Sequence, residues 1–195
     1  MRGFLTALAV CLGLSSAVQA AELQNDRTLM LFGGAMVKGH MPGTALLPFA
    51  SGLEGNYIAG AALQQNFRRF DNGLTIGGEI GLAARFGRES SGEAWAGVSL
   101  GHVGYKWGGL NIAPSLVIGL SAITKPIGME VIRAAARGGN PHLLFYLGPE
   151  LAFTHDSHPN ISLVYRVHHR SGAWNTLGGM RDAHNANVIG LRIGF

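Results

Sequence analysis

Near the carboxyl end of the chain, Asn187 to Phe195 alternates large apolar side chains (Ile189, Leu191, Ile193, Phe195) with small or charged ones (Gly190, Arg192, Gly194). In an extended strand, a period of two puts every large apolar group on one face. A segment of this pattern that finishes on an aromatic has the form of the closing strand of a bacterial outer-membrane β-barrel. The segment before it, Tyr165-Arg166-Val167-His168-His169-Arg170-Ser171-Gly172, carries a histidine and a serine two residues apart, so both side chains share a face.

The amino-terminal 20 residues read as a secretory leader. Arg2 supplies the positive start, Phe4 to Leu14 the apolar core, and Val18-Gln19-Ala20 a small-residue cleavage site. That core is short for a transmembrane helix. The single cysteine, Cys11, falls inside it, and bulky Val10 argues against a lipoprotein site. The mature chain is therefore expected to lack cysteine, which excludes disulfides, thiolate metal sites and thiol catalysis.

Residues 21–195 suit one barrel domain. Hydrophobic residues make up 47% of the chain, charged residues only 13%, and glycine occurs 30 times. No apolar run approaches about 18 residues, which argues against helical spans. High apolarity without long runs fits strands facing lipid outside and a packed or polar lumen inside. The net charge of +4 favours phosphate-rich headgroups but is too small to name a partner. No phosphate loop, dinucleotide fingerprint or nucleic-acid module is present, so no cofactor or nucleic-acid partner is expected.

The pattern predicts an all-β, eight-stranded antiparallel transmembrane barrel with strands at 28–36, 56–67, 74–86, 93–107, 110–123, 142–153, 161–171 and 186–195. Tight turns at 71–73, 108–109 and 156–160 alternate with longer connections at 37–54, 87–92, 124–141 and 172–185. Outer-membrane barrels keep short turns in the periplasm and longer loops outside. The strand ending at Ser171 then climbs outward, towards the leaflet that holds lipopolysaccharide. A short helix is expected at 129–137. Its Arg133 and Arg137 lie four apart on one face and either contact lipid phosphates or belong to a solvated loop helix.

In strand 161–171, Ile161, Leu163, Tyr165 and Val167 share parity with His169 and Ser171, whereas Ser162, Val164, Arg166, His168 and Arg170 form the other face. The apolar set should face lipid and the polar set the lumen. A one-residue slip would present His168 and Arg170 instead. In this register Ser171 can act as an acyl-transfer nucleophile and His169 as its base, with a third group orienting the imidazole. The loop before the last strand is expected to supply that group. Asp182 is the first candidate, as the only carboxylate after Ser171, and Asn185 and Asn187 are rivals with the outward parity of Ile189. Backbone N–H groups near Gly172 and Ala173 are candidate oxyanion donors.

Other groups read more plainly. His168 is expected in the lumen, and Glu79, Glu93 and Glu150 as lumenal charges paired with arginines. Trp95, Trp107, Tyr105, Tyr146 and Trp174 suit interfacial anchors. His155 and His158 sit in a periplasmic turn without further ligands, so no metal site is expected.

At His169-Arg170-Ser171, followed by a small-residue turn that retains Ala173, the sequence resembles the lipid A 3-O-deacylases, the PagL-like outer-membrane esterases. Their signature is His-x-Ser on the penultimate strand, with an acidic residue about a dozen positions later. The resemblance has specific content over the last roughly thirty residues and is a general barrel pattern elsewhere. It implies a lipid-facing Ser-His-acid site that hydrolyses the 3-O-linked acyl ester of lipid A without a cofactor, among outer-membrane lipid, and it is compatible with a homodimer. Counting from the serine puts the acid near Asp182 or Ala183, and counting from the terminus near Asn185. Gly172 stands where the family often has asparagine. The competing readings are a non-enzymatic structural or adhesive barrel, and a phospholipase or palmitoyl transferase on the same scaffold.

Overall fold

The computed structural model describes residues 26–46 and 52–195. The expected leader, its cleavage site and Cys11 lie outside them. Strands β1 (Arg27–Val37), β2 (Leu53–Arg69), β3 (Leu74–Gly87), β4 (Ser91–His102), β5 (Tyr105–Trp107), β6 (Leu110–Ile123), β7 (Leu143–His155), β8 (Ile161–Ser171) and β9 (Asp182–Gly194) are joined by two short helices, α1 (Met41–Leu46) and α2 (Met129–Ala135). Each strand pairs antiparallel with its neighbour, β1 pairs with β9, and β4 pairs with β6. The sheet closes on itself through the β4–β6 pairing, as a sheet in lipid must.

β4 and β5 occupy one position in the wall, which makes this an eight-stranded barrel. The expected single strand 93–107 breaks at Val103 and Gly104. Gly104 takes a φ of 111°, and the Asn111 side chain donates to the Val103 carbonyl at 2.9 Å in place of a ladder bond. The last strand also starts earlier than the alternation of its apolar residues indicates, at Asp182 rather than Ala186. Its first residues are polar, and what holds them in the sheet is pairing to β8.

Facing follows the predicted parity over Ile161–Arg166, whereas Val167, expected to face lipid, is buried. Ile161 and Leu163 are exposed on the outer wall while Ser162, Val164, Arg166, His168 and Arg170 are buried. Leu31, Leu63, Ile80, Leu82, Val98, Ile118 and Leu191 continue the apolar exterior around the barrel. An apolar outer belt on a closed sheet with a charged interior is the architecture of an outer-membrane barrel.

The lumen is filled, not open. Arg166 donates to both carboxylate oxygens of Glu79 (2.6 and 2.7 Å) and to Glu150 (2.9 Å). Arg192 holds Glu150 from the other side at 2.7 Å. His168 lies 2.8 Å from Glu93 and 3.2 Å from the Tyr146 hydroxyl. The expected lumenal positions of Glu79, Glu93, Glu150 and His168 are thus observed. Two of the expected anchors are not at the interface. Trp95 and Tyr146 are buried in the lumen, their rings tilted against each other with centroids 5.5 Å apart, and Trp95 donates to Glu79. Glycine makes this room: a Cβ on Gly81 would collide with the Trp95 ring. Tyr105, Trp107 and Trp174 are exposed.

Candidate active site

His169 and Asn185 are direct partners across the β8–β9 ladder. His169 Nδ1 lies 2.7 Å from Asn185 Oδ1. The amide of Asn185 has its orientation set by two acceptors for its Nδ2, the Gly39 carbonyl at 2.9 Å and the Asp182 carboxylate at 3.2 Å. With Nδ2 committed to acceptors, Oδ1 faces the imidazole and must accept from Nδ1–H. That fixes the tautomer with Nε2 bare, the form a general base needs.

Asp182 is three residues from Asn185, a spacing that regular alternation would put on opposite faces. A bulge resolves this. Arg170 pairs with His184 but Ser171 pairs with Asp182, so two residues of β9 oppose one step of β8. The extra residue re-aims Asp182 to the outer face, a known use of bulges beside active sites. Its carboxylate stands 3.7 Å from His169 Nδ1, beyond hydrogen-bond range. It contacts His40 Nδ1 at 2.7 Å and lies 3.4 Å from an Arg133 nitrogen. The structure therefore brings Asp182 and Asn185 together at the imidazole, with the amide in contact and the carboxylate behind it. The third rival, Asn187, instead accepts from the Tyr165 hydroxyl at 2.8 Å.

Ser171 shares the outward face with His169 and is partly exposed, opposite Phe145 of β7. Among the described residues no hydrogen bond joins Ser171 Oγ to His169. Resting sites often have such bonds long or absent until substrate tightens them. His169 is outward by parity yet only 7% exposed, because α1 packs against β8 and β9.

After Ser171 the chain turns sharply. A Cβ on Gly172 would collide with the backbone carbonyls of Met180 and Leu177, so glycine is required by close approach. The Gly172 N–H is taken by the Arg181 carbonyl at 2.7 Å, which removes it as an oxyanion donor. Ala173, Trp174 and Asn175 follow with φ of 45°, 57° and 73°. Three consecutive non-glycine residues in the left-handed region are costly, and such strain collects at functional sites. The Asn175 and Thr176 N–H groups donate to the Met180 and Ala173 carbonyls. Among the described residues the Ala173 and Trp174 N–H groups have no such backbone acceptor, so they stay available to one.

Below the site on the outer wall, a recess of about 360 Å³ opens between β8, β9 and β1. Gly33 and Ala35 of β1 floor it, and Val37, Leu53, Tyr165 and Ile189 wall it. Small residues at outward positions, where neighbouring strands carry leucine and isoleucine, create this apolar hollow. Sequence reasoning missed it, though the outward parity of Gly33 and Ala35 was a usable signal. His155 and His158 both turn towards Ser157.

No family model and no curated protein matches the chain. Among solved structures, it is similar to the outer membrane enzyme PagL, with a TM-score of 0.57 and 11% identity over 86% of this chain and 99% of that one. It is also similar to Neisserial surface protein A, with a TM-score of 0.53 and 9% identity over 87% of this chain and 97% of that one. Likeness at these identities concerns the fold. It places the chain among small outer-membrane barrels and leaves the chemistry to be argued from the site.

Proposed function

We propose that this barrel is a cofactor-independent serine esterase that hydrolyses the 3-O-linked acyl chain of lipid A in the outer leaflet. The observation that carries this reading is the His169–Asn185 hydrogen bond, with the amide locked by Gly39 and Asp182. A histidine so anchored, on a lipid-facing wall and two residues from a serine, is expensive to maintain unless its free nitrogen is used.

The reaction follows from the groups present. Ser171 Oγ attacks the ester carbonyl carbon while His169 Nε2 takes the hydroxyl proton. The negative charge that develops on the carbonyl oxygen is met by the Ala173 and Trp174 N–H groups. The intermediate collapses with cleavage of the bond to the sugar oxygen, which leaves with the proton from His169. An acyl group then remains on Ser171. Water, deprotonated by His169, attacks it and releases the free fatty acid. Asn185 orients the imidazole throughout, and Asp182 supplies negative charge close by when the ring is protonated. The recess floored by Gly33 and Ala35 suits the acyl chain, because the substrate arrives from the side, within the leaflet.

Purified protein offered lipid A and phospholipid in parallel tests the substrate class. The reading expects a free hydroxy fatty acid from lipid A only, and none with Ser171→Ala. Release from phospholipid alone would reassign the enzyme as a phospholipase. A rival, non-enzymatic barrel acting through its external loops is favoured by the missing Ser171–His169 hydrogen bond. It expects no product from either lipid and no phenotype from changing either residue.

A further inference from the structure

Helix α2 reaches the candidate site from both sides of the barrel wall. Arg170 stands between His169 and Ser171 in the chain and points the opposite way, into the lumen, where it is fully buried. Its guanidinium is held by the Glu130 carboxylate, by Ser121 Oγ at 2.9 Å and by the Pro141 carbonyl at 2.9 Å. Glu130 also accepts from Arg85 at 2.7 Å. Glu130 thus bolts the outer end of β8 to a helix seated in the barrel mouth.

Three residues on, one helical turn away, Arg133 works at the rim. It donates to the carbonyls of Ala183 (3.1 Å), Lys38 (2.9 Å) and Gly39 (3.3 Å) and lies 3.4 Å from Asp182. Gly39 O and Asp182 are the same two acceptors that set the Asn185 amide. Arg133 therefore fixes the groups that fix Asn185, without touching His169. Its side chain is 11% exposed, which ends the expectation that it contacts lipid phosphates or faces solvent; Arg137 remains exposed at the helix end.

We propose that Glu130 and Arg133 are positioning residues of the esterase site: α2 is a two-point bracket that sets the separation of β8 from the Asn185–Asp182 pair. This rests on reading His169 as the base and Asn185 as its orienting group. The bracket predicts that loosening either point frees the imidazole before it unfolds the barrel. A fork is needed at Arg133, because one planar guanidinium serves three carbonyls and a carboxylate. Lysine can restore only part of that.

The test follows the His169 ring N–H by ¹⁵N–¹H NMR in the full-length, detergent-solubilised barrel. The wild type is expected to show a slowly exchanging Nδ1–H. Arg133→Met and Glu130→Gln should each speed its exchange about tenfold, the equivalent of one lost hydrogen bond, and Arg133→Lys should recover part of the protection. Should Arg133→Met fail to assemble, Glu130→Gln and Arg133→Lys read the same quantity in milder variants. Unchanged exchange in the assembled variants, or no protected ring proton in the wild type, would overturn the bracket. On lipid A, the folded variants should lose kcat with KM held. A wild type that protects His169 Nδ1–H but releases no fatty acid would sink the esterase reading and leave the bracket standing.

Discussion

His169 of β8 and Asn185 of β9 face each other across one rung of the sheet, Nδ1 to Oδ1 at 2.7 Å, on the outer wall of the barrel. The imidazole is thus oriented by a neutral amide, with the Asp182 carboxylate one layer back at 3.7 Å. An amide can fix a tautomer as a carboxylate does but contributes no charge of its own. Asp182 supplies negative charge nearby while paired with Arg133 and in contact with His40 Nδ1.

This layering separates two mutants. Asn185→Ala removes the orienting contact and should lower kcat by about 10²–10⁴-fold, in the range seen when a triad's orienting group is lost. Asp182→Asn keeps one acceptor for the Asn185 amide while removing the nearby charge and weakening the Arg133 contact, and should cost about tenfold, since its effect on the imidazolium is indirect. Steady-state hydrolysis of a lipid A ester by the two purified variants checks the order; equal losses would place Asp182 in direct contact with His169.

Gly172→Ala should abolish activity in a barrel that still assembles. The added methyl meets the Met180 and Leu177 carbonyls, so the turn that presents the Ala173 and Trp174 N–H groups must open. Heat-modifiable mobility on a gel reports assembly, and fatty-acid release reports the turn. Full activity would show that the turn does not bear on the site.

Filling the outer recess should change selectivity. Gly33 faces open space on the outer wall, with only the Ile58 carbonyl near an added Cβ, at 3.9 Å. Gly33→Leu is therefore expected to fold and to occupy the recess, shifting preference towards shorter acyl chains. Competition between short- and long-chain esters measures the shift, and an unchanged preference would place the chain elsewhere.

Arg166→Leu tests the lumen. It leaves Glu79 and Glu150 buried with a lost partner, and Arg192 can serve only the second. Breaking a buried pair in this way costs about 3–5 kcal/mol. Urea unfolding in micelles should show that loss without any specific effect on residual turnover by the folded fraction.

Much of the architecture was legible because lipid enforces a strict two-residue period. Ile161 and Leu163 outside, with Ser162 and Arg166 inside, follow from parity alone, as does the outward position of His169. The site was less legible for a local reason. The bulge opposite Arg170 and Ser171 is invisible in an alternating pattern, and it converts Asp182 from an inward to an outward residue. The polar stretch before Ala186 also reads as loop, because its pairing to β8 is made by backbone bonds that leave no mark in side-chain hydropathy. Trp95 and Tyr146 were misplaced for a similar cause: an aromatic fits a narrow lumen only where a glycine such as Gly81 lies opposite, and that pairing is set by register between strands.

Ser171 and His169 are proposed to form a working esterase on the lipid-facing wall. Mass spectrometry of lipid A from cells expressing the wild-type, Ser171→Ala and His169→Ala chains tests it most directly. The wild type should yield lipid A lighter by one hydroxyacyl chain at position 3, and both variants should leave lipid A intact. Unmodified lipid A from cells with assembled wild-type barrel, or equal loss of the chain with Ser171→Ala, would contradict it.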